Sequence, residues 1–262
     1  MAYTTIDKPT DYFSTNLWVA DDSSPRSFTG FGHQPDWVWT KHRGSGSTYH
    51  TVTDSVRGGN KQLSTPTNAA EDSGSHGIID SFDSDGITVS NGTNATYPRL
   101  TFNELDPFGS GGGNYVCFSW KAGGSASSNT DGDVTSSVSA NTTAGFSIVS
   151  FNGGGSGSDN IGHGLGSTPK IILIKDRDGA TDWLWYTTAI DGSYDTLRLN
   201  TTGAKTDSSY TAPTSSVFYF PANTSNDYIA YCFAEKKGYS KFGSYTGNGN
   251  ADGTFVYTGF KP

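Results

Sequence analysis

The chain has 262 residues, a formal net charge of −8, 16% charged residues, 13% aromatic residues and 34 glycines. Because a phosphate-binding groove needs clustered Lys and Arg, this charge balance argues against nucleic-acid binding. The aromatic content is too high for a disordered chain, and no apolar run approaches the roughly 18 residues of a membrane helix. The start of the chain lacks a signal-peptide pattern, so we expect synthesis in a cytoplasm and no membrane insertion.

Short segments with alternating apolar and polar residues recur between Gly, Asn, Asp and Pro clusters, which predicts β-strands throughout. Residues 1–10 are predicted to form an N-terminal arm and residues 11–122 a first β-sandwich, with a surface loop at 64–76. The strands predicted in this part are Phe13–Val19, Asp36–Lys41, Tyr49–Asp54, Gly86–Val89 and Tyr115–Trp120.

Residues 123–143 are rich in Ser, Gly and Asn and have little to bury, so they are predicted to be a linker. A second β-sandwich is predicted over 144–240, and residues 241–262 are predicted to be a partial third repeat or a strand-completing tail. The strands predicted in the second sandwich are Phe146–Phe151, Lys170–Lys175, Trp183–Thr187, Thr196–Asn200, Val217–Phe220 and Tyr228–Ala234.

The two halves repeat one pattern. In the first, Gly30-Phe31-Gly32 is followed by Pro35 and the strand at Trp37; in the second, Gly164-Leu165-Gly166 is followed by Pro169 and the strand at Ile171. A third fragment runs from Thr258 to Pro262. Fixed order over this length indicates homologous domains. The fold class is therefore predicted to be all-β: two tandem antiparallel β-sandwich domains, jelly-roll or lectin-like, with a short C-terminal partial repeat.

The sequence contains no catalytic motif. The string Asp83-Ser84-Asp85-Gly86 lacks the later Glu of a calcium loop, and it is typical of a hairpin turn. Cys117 and Cys232 occupy corresponding strands and are predicted to be buried thiols. We therefore predict no catalytic residue, no metal ligand and no cofactor, although a glycosidase's carboxylate pair is a spatial feature that sequence does not reveal.

Four residues are candidates for binding. Trp183 and Trp185 point to the same face of their strand, and the matching region of the first half holds Tyr49 and His50. If exposed, these side chains are suited to stacking on sugar rings or anchoring a protein; if buried, they are core.

Arg57 and Asp54 are predicted to be structural. They belong to Asp54-Ser55-Val56-Arg57-Gly58, in which a guanidinium can pin a Gly-rich turn by bonding to Asp54 or to loop carbonyls.

Several Gly-, Ser- and Trp-rich segments stand out along the chain: Gly30-Phe31-Gly32, Pro35–Trp39, Asp54–Gly58, Ser81–Gly86, Trp120–Gly124, Gly162–Gly166, Lys175–Arg177, Ala212–Val217 and Tyr239–Gly249. In these segments the sequence resembles the Gly-, Ser- and Trp-rich repeat proteins of marine tailed bacteriophages. The resemblance covers almost the whole chain, and the second half lacks Asp-Ser-Val-Arg-Gly. This resemblance implies a virion structural or tail-fibre protein.

The resemblance, together with repetition, rigidity and the absence of a catalytic motif, leads us to expect a non-enzymatic virion protein that attaches to the host surface as part of a tail fibre or spike. Expected partners are other virion proteins and a host-surface glycan or protein. The alternatives are a capsid decoration or head-fibre protein and, less favoured, a polysaccharide depolymerase. We also expect a homo-oligomer such as a trimer, in which residues 242–245 or 254–257 complete a sheet of the second domain or of a neighbouring subunit.

Overall fold

In a computed structural model, the described residues are 4–44, 48–93, 101–105, 113–155, 157, 159–222 and 225–260. The protein is all-β, as predicted. The strands of the first half are β1 (Phe13–Val19), β2 (Arg26–Thr29), β3 (Trp37–His42), β4 (His50–Asp54), β5 (Lys61–Ser64), β6 (Asp72–Ser73), β7 (Ile78–Asp83), β8 (Gly86–Ser90) and β9 (Asn114–Trp120).

The second half contains ten strands among its described residues. They are β10 (Ser127–Asn129), β11 (Ser136–Asn141), β12 (Phe146–Asn152), β13 (Asp159–Gly162), β14 (Ile171–Asp176), β15 (Leu184–Thr187), β16 (Asp195–Arg198), β17 (Thr206–Asp207), β18 (Val217–Phe220) and β19 (Asp227–Phe233).

Both halves use the same strand order. The six-stranded sheet of the first runs β1-β9-β3-β4-β5-β6, and the large sheet of the second contains β12-β19-β14-β15-β16-β17, preceded by β10 and β11. Smaller sheets, β2-β8-β7 and β13-β18, accompany them. The pairings within these sheets are antiparallel, which matches the predicted sandwich architecture.

The sheets pack in four layers. Alternation on β3 sends Val38 toward the small sheet β2-β8-β7, where Phe31 and Ile87 are also buried, and sends Trp37 to the opposite face. In the second half, Ile172 faces the small sheet β13-β18 and Leu173 the other side. The two large sheets therefore share a central core.

This central core joins the halves through large side chains. Its buried members are Trp37, Val52, Leu63 and Ala122 from the first half and Phe146, Ile148, Leu173, Trp183, Ile229 and Tyr231 from the second. Trp37 lies 4.8 Å from Tyr231 and 5.7 Å from Phe146 between ring centroids. Each half has a core against its own small sheet and also contributes to this shared one.

The segment 123–143 is not the predicted linker, because it forms β10 and β11 on the large sheet. Val138 supplies a buried apolar contact, and serine hydroxyls hydrogen-bond to backbone groups. Ser139 Oγ donates to Gly124 O at 2.7 Å and accepts from Gly123 N at 2.9 Å, and Ser136 Oγ donates to Gly162 O. Hydrogen bonding to the backbone replaces most of the apolar burial that a strand normally shows.

The tail differs from the sequence expectation as well. Residues 242–245 and 254–257 form no strand in this chain and do not complete the second domain's sheet. The predicted surface loop 64–76 contains the short strand β6 and the partly buried Glu71. Cys117 and Cys232 are buried free thiols, as predicted.

Candidate binding site

An aromatic cleft opens at one end of the central core, where β1 and β9 meet β12 and β19. Phe13 lies 4.7 Å from Trp120 and Phe146 lies 4.9 Å from Phe233 between ring centroids, and Trp120 lies 6.2 Å from Phe233. The cleft has a volume of about 300 Å³. Each repeat contributes one wall, so the cleft forms only when the two repeats of the chain pack together.

The tail forms the third wall of the aromatic cleft. Phe242 lies 6.3 Å from Phe233, and Phe260 also lines the cleft. The polar lining comes from Tyr239, Ser240 and Lys241. Burial raises the pKa of Tyr239 to about 12, so its phenol stays protonated at neutral pH. An apolar aromatic pocket with a few polar groups is the usual composition of a small-ligand site.

Gly145 shapes the floor of this cleft. Its φ of 74° is left-handed, and an added Cβ would lie 2.6 Å from the carbonyl oxygen of Ala234. Ala234 N donates to Gly145 O at 2.7 Å, which ties the turn before β12 to the end of β19. A side chain at this position would push the two strands of the cleft apart.

The residues predicted to be structural, Arg57 and Asp54, are completely buried as an ion pair beside the central core. Arg57 Nη1 donates to Glu71 Oε2 at 3.0 Å, and Arg57 Nη2 donates to the hydroxyl of Tyr231 at 3.1 Å. Tyr231 in turn donates to Asp54 Oδ2 at 2.7 Å. Burial alone would lower the pKa of Arg57, but Asp54, Tyr231 and Glu71 outweigh it and raise that pKa.

The ionic network also spans both repeats at its outer edge. Arg177 of the second repeat binds Glu71 of the first through two hydrogen bonds of 2.8 Å each. The backbone adds a bond between the same residues, from Glu71 N to Arg177 O at 2.8 Å. Each buried charged side chain here is paired with a side chain of opposite charge, which offsets the cost of removing it from water. We call Asp54, Arg57, Glu71, Arg177 and Tyr231 the inter-repeat network.

Trp183, which the sequence suggested as a candidate binding residue, is not accessible to a ligand. It is 1% exposed within the central core, and its Nε1 donates to Ser64 O at 3.0 Å. Trp185 is half-buried and packs against the same core. The alternation that placed both tryptophans on one face was interpreted correctly, but that face is covered by the other repeat.

Tyr49 and His50 are half-buried at the start of β4. The His50 ring lies 6.0 Å from Trp39, and its strand partner is Lys41. Burial and then the charge of Lys41 lower the pKa of His50, so the ring is neutral at neutral pH. Neither residue lines the aromatic cleft, and the structure does not gather the four predicted binding residues into one site.

One acidic cluster has the spacing of metal ligands. Asp191, Asp195 and Asp207 place carboxylate oxygens within 4.8 Å of one another. The ammonium of Lys205 lies between them, at 2.6, 2.7 and 2.9 Å from the three carboxylates. A side-chain cation of the chain itself therefore occupies the place that a metal ion would take.

The Gly-Phe-Gly and Asp-Ser-Asp-Gly motifs meet in the first repeat. Gly30 N and Gly32 N donate to the Asp85 carboxylate at 3.1 and 2.6 Å, and Phe31 between them is buried in the core. Asp85 lies in the turn of the β7–β8 hairpin, so the predicted hairpin is confirmed. The acidic side chain therefore fixes the conformation of the glycine loop.

The cleft was missed by sequence reasoning because its aromatic residues come from the ends of four strands and from the tail. One sequence signal could have revealed the cleft: aromatic residues stand at equivalent strand ends of the two repeats. Phe13 and Phe146 begin equivalent strands, and Trp120 and Phe233 end equivalent strands. Among the residues described, no helix is long and apolar enough to span a membrane.

These features define a class: an all-β protein of tandem sandwiches that share one core and form an aromatic cleft at their junction. The profile of the family described as "Domain of unknown function (DUF7483)" matches residues 8–262. The chain belongs to this family. A comparison with curated proteins gave no match, and a comparison with solved structures gave none.

Proposed function

We propose that the protein is a virion structural protein of a tailed bacteriophage, part of a tail fibre or spike, which attaches the particle to a glycan on the host surface. The observation that carries this proposal is the aromatic cleft. Ring faces such as those of Trp120, Phe233 and Phe242 suit the apolar faces of sugar rings, and Tyr239 and Ser240 supply hydroxyls for hydrogen bonds. The resemblance to phage repeat proteins supports the placement in a virion.

The architecture also supports a role in attachment. Strands from both repeats form two of the three cleft walls, and the inter-repeat network and the central core fix the repeats together. A site on such a rigid scaffold loses little conformational entropy on binding. With a formal net charge of −8 and Lys241 as the cation lining the cleft, a neutral or weakly acidic glycan fits better than a polyanion.

Glycan binding is tested with the purified chain on an array of bacterial surface polysaccharides. We expect specific binding that Phe242→Ala weakens by at least about tenfold, which corresponds to roughly 1.4 kcal/mol. Phe242 is a half-buried tail residue, so the sandwiches keep their packing. Tyr210→Ala, which removes an aromatic side chain that is 40% exposed and does not line the cleft, should bind like the wild type.

The virion position is tested by electron microscopy of purified phage particles with a gold-labelled antibody against the chain. We expect the label on tail fibres or spikes. A label on the head surface would contradict host attachment by the tail and indicate capsid decoration. Absence of the chain from purified particles would contradict any virion role, whatever the glycan array shows.

A further inference from the structure

The large sheet of the first repeat ends in an open strand. β1 pairs with β9 on one side, and no described strand pairs with its other side. Leu17 and Val19 on β1 are 64% and 60% exposed. In the second repeat the equivalent strand, β12, is covered on that side by β11. The same position in the fold therefore accepts an antiparallel strand in one repeat and is unpaired in the other.

The open side of β1 has one protecting contact at its end, where Arg26 Nη1 donates to Val19 O at 2.8 Å, but the rest of the strand lacks the features that protect sheet edges. The other edge strands of the two large sheets are short: β6 and β17 have 2 residues each and β10 has 3. β1 has 7 residues and no charged side chain. Natural proteins protect long edges with charges, proline or bulges because an open edge recruits another strand.

The tail provides a segment of matching character, which we call the tail hairpin (residues 242–258). Its two arms run antiparallel: Asn248 Nδ2 donates to Asp252 O at 2.9 Å, and Thr254 Oγ1 donates to Thr246 O at 2.8 Å. Neither arm belongs to a sheet. The exposed large side chains of this hairpin are Tyr245 (70%), Phe255 (86%), Val256 (50%) and Tyr257 (72%).

We propose that the tail hairpin of a second copy of this chain pairs with the open side of β1. Phe255 and Tyr257 are two residues apart, as are Leu17 and Val19, so a paired arm would align two apolar rows on one face of the sheet. The start of β1 also lies near the tail, because Phe13 lines the same cleft as Phe242 and Phe260. Each copy can therefore donate and accept a hairpin in a closed assembly, such as the expected trimer.

Sedimentation analysis of the full chain tests this pairing. We expect an oligomer at micromolar concentration, and Leu17→Lys or Phe255→Lys should raise its apparent dissociation constant at least about tenfold. Both side chains are exposed, so circular dichroism should be unchanged. Thr202→Lys, at an exposed loop position outside both surfaces, is the matched control and should remain oligomeric. A monomeric wild-type chain at high micromolar concentration would overturn the proposal.

Cross-linking identifies the strand that occupies β1. Leu17→Cys and Phe255→Cys chains carrying different tags are mixed and treated with a short bismaleimide; the native cysteines are buried and do not compete. We expect a mixed cross-linked dimer, and none when Thr202→Cys replaces Phe255→Cys. A Leu17→Cys, Phe255→Cys double variant that cross-links only within one chain would show that the tail covers its own β1, and would overturn exchange between copies.

Discussion

At the scale of residues, Arg57 is the most informative side chain. The sequence predicted a structural contact with Asp54, three positions earlier, because a Gly-rich turn without apolar anchors needs a fixed polar one. The structure adds Glu71 and Tyr231, which lie 14 and 174 positions after Arg57, and Arg177, which lies 106 positions after its partner Glu71. Local sequence pattern carries no information about such distant partners, so the inter-repeat character of the network was not predictable.

Replacing Arg57 should destabilise the whole chain. The Arg57→Ala variant leaves Asp54 and Glu71 without their buried cation, and breaking a buried pair in this way costs about 3–5 kcal/mol. The matched control is Arg198→Ala, which breaks the exposed pair with Asp182 and should cost about 0–1 kcal/mol. Urea unfolding measures both. Equal stability of Arg57→Ala and the wild type, together with lost cell or virion binding, would make Arg57 a contact residue.

The same network predicts an acid-sensitive stability. Burial alone would raise the pKa of Glu71, but hydrogen bonds from Arg177 and the charge of Arg57 outweigh it, and the pKa lies below its usual 4.5. A carboxyl with a lowered pKa stabilises the fold above its unfolded pKa and loses that contribution as the pH falls through its folded pKa. Wild-type stability should therefore fall below pH 4.5 more steeply than that of Glu71→Gln.

Urea titration at several pH values above and below 4.5 gives the unfolding free energy of each protein. The slope of this free energy against pH is then compared between the wild type and Glu71→Gln. Asp252→Asn, at an exposed tail position outside the network, should keep the wild-type slope. Identical slopes for Glu71→Gln and the wild type would show that Glu71 does not cause the acid sensitivity.

At the scale of elements, strands with aromatic or aliphatic alternation were predictable. β1 and β18 begin and end where the sequence placed them, and β3, β9, β12, β14 and β19 differ by about one residue at their ends. Apart from β7, which has 6 residues and three large apolar side chains, most of the strands that were missed are short or polar, such as β10 and β17. Their stability comes from pairing with neighbours in the sheet, which leaves little hydrophobic pattern in the sequence.

The β10–β11 segment gives a direct test of this explanation. Because β11 pairs with β12 over 6 residues, its backbone amides should exchange slowly with solvent deuterium, at rates close to those of β12 itself. A flexible linker would exchange within the shortest measurable time. Hydrogen–deuterium exchange with peptide mass spectrometry separates the two cases, with the exposed loop 201–204 as the fast reference.

The candidate site was less predictable than the strands. Alternation correctly placed Trp183 and Trp185 on one face of the strand. Whether solvent reaches that face depends on what packs against it, and here the other repeat covers it. The aromatic cleft lies at the open end of the same interface. Its position follows from the way the two large sheets stack, which is a property of tertiary packing and not of any one strand.

At the scale of the whole molecule, the shared core determines how the chain unfolds. Homologous repeats suggest two units that fold separately, but separation here would expose Trp37, Val52 and Leu63 on one sheet and Phe146 and Tyr231 on the other. It would also leave Arg57 and Asp54 without the hydroxyl of Tyr231. The cost of exposing these side chains makes an intermediate with one folded repeat unfavourable.

We therefore expect a single cooperative transition in calorimetry, with equal calorimetric and van't Hoff enthalpies. Phe146→Ala removes a ring that is 2% exposed in the shared core, and it should lower the stability of that single transition by about 3–5 kcal/mol without splitting it. Tyr210→Ala is the matched control, because its ring is 40% exposed and lies outside this core. Two resolved transitions in the wild type, with only one shifted by Phe146→Ala, would show that the repeats unfold independently despite their common core.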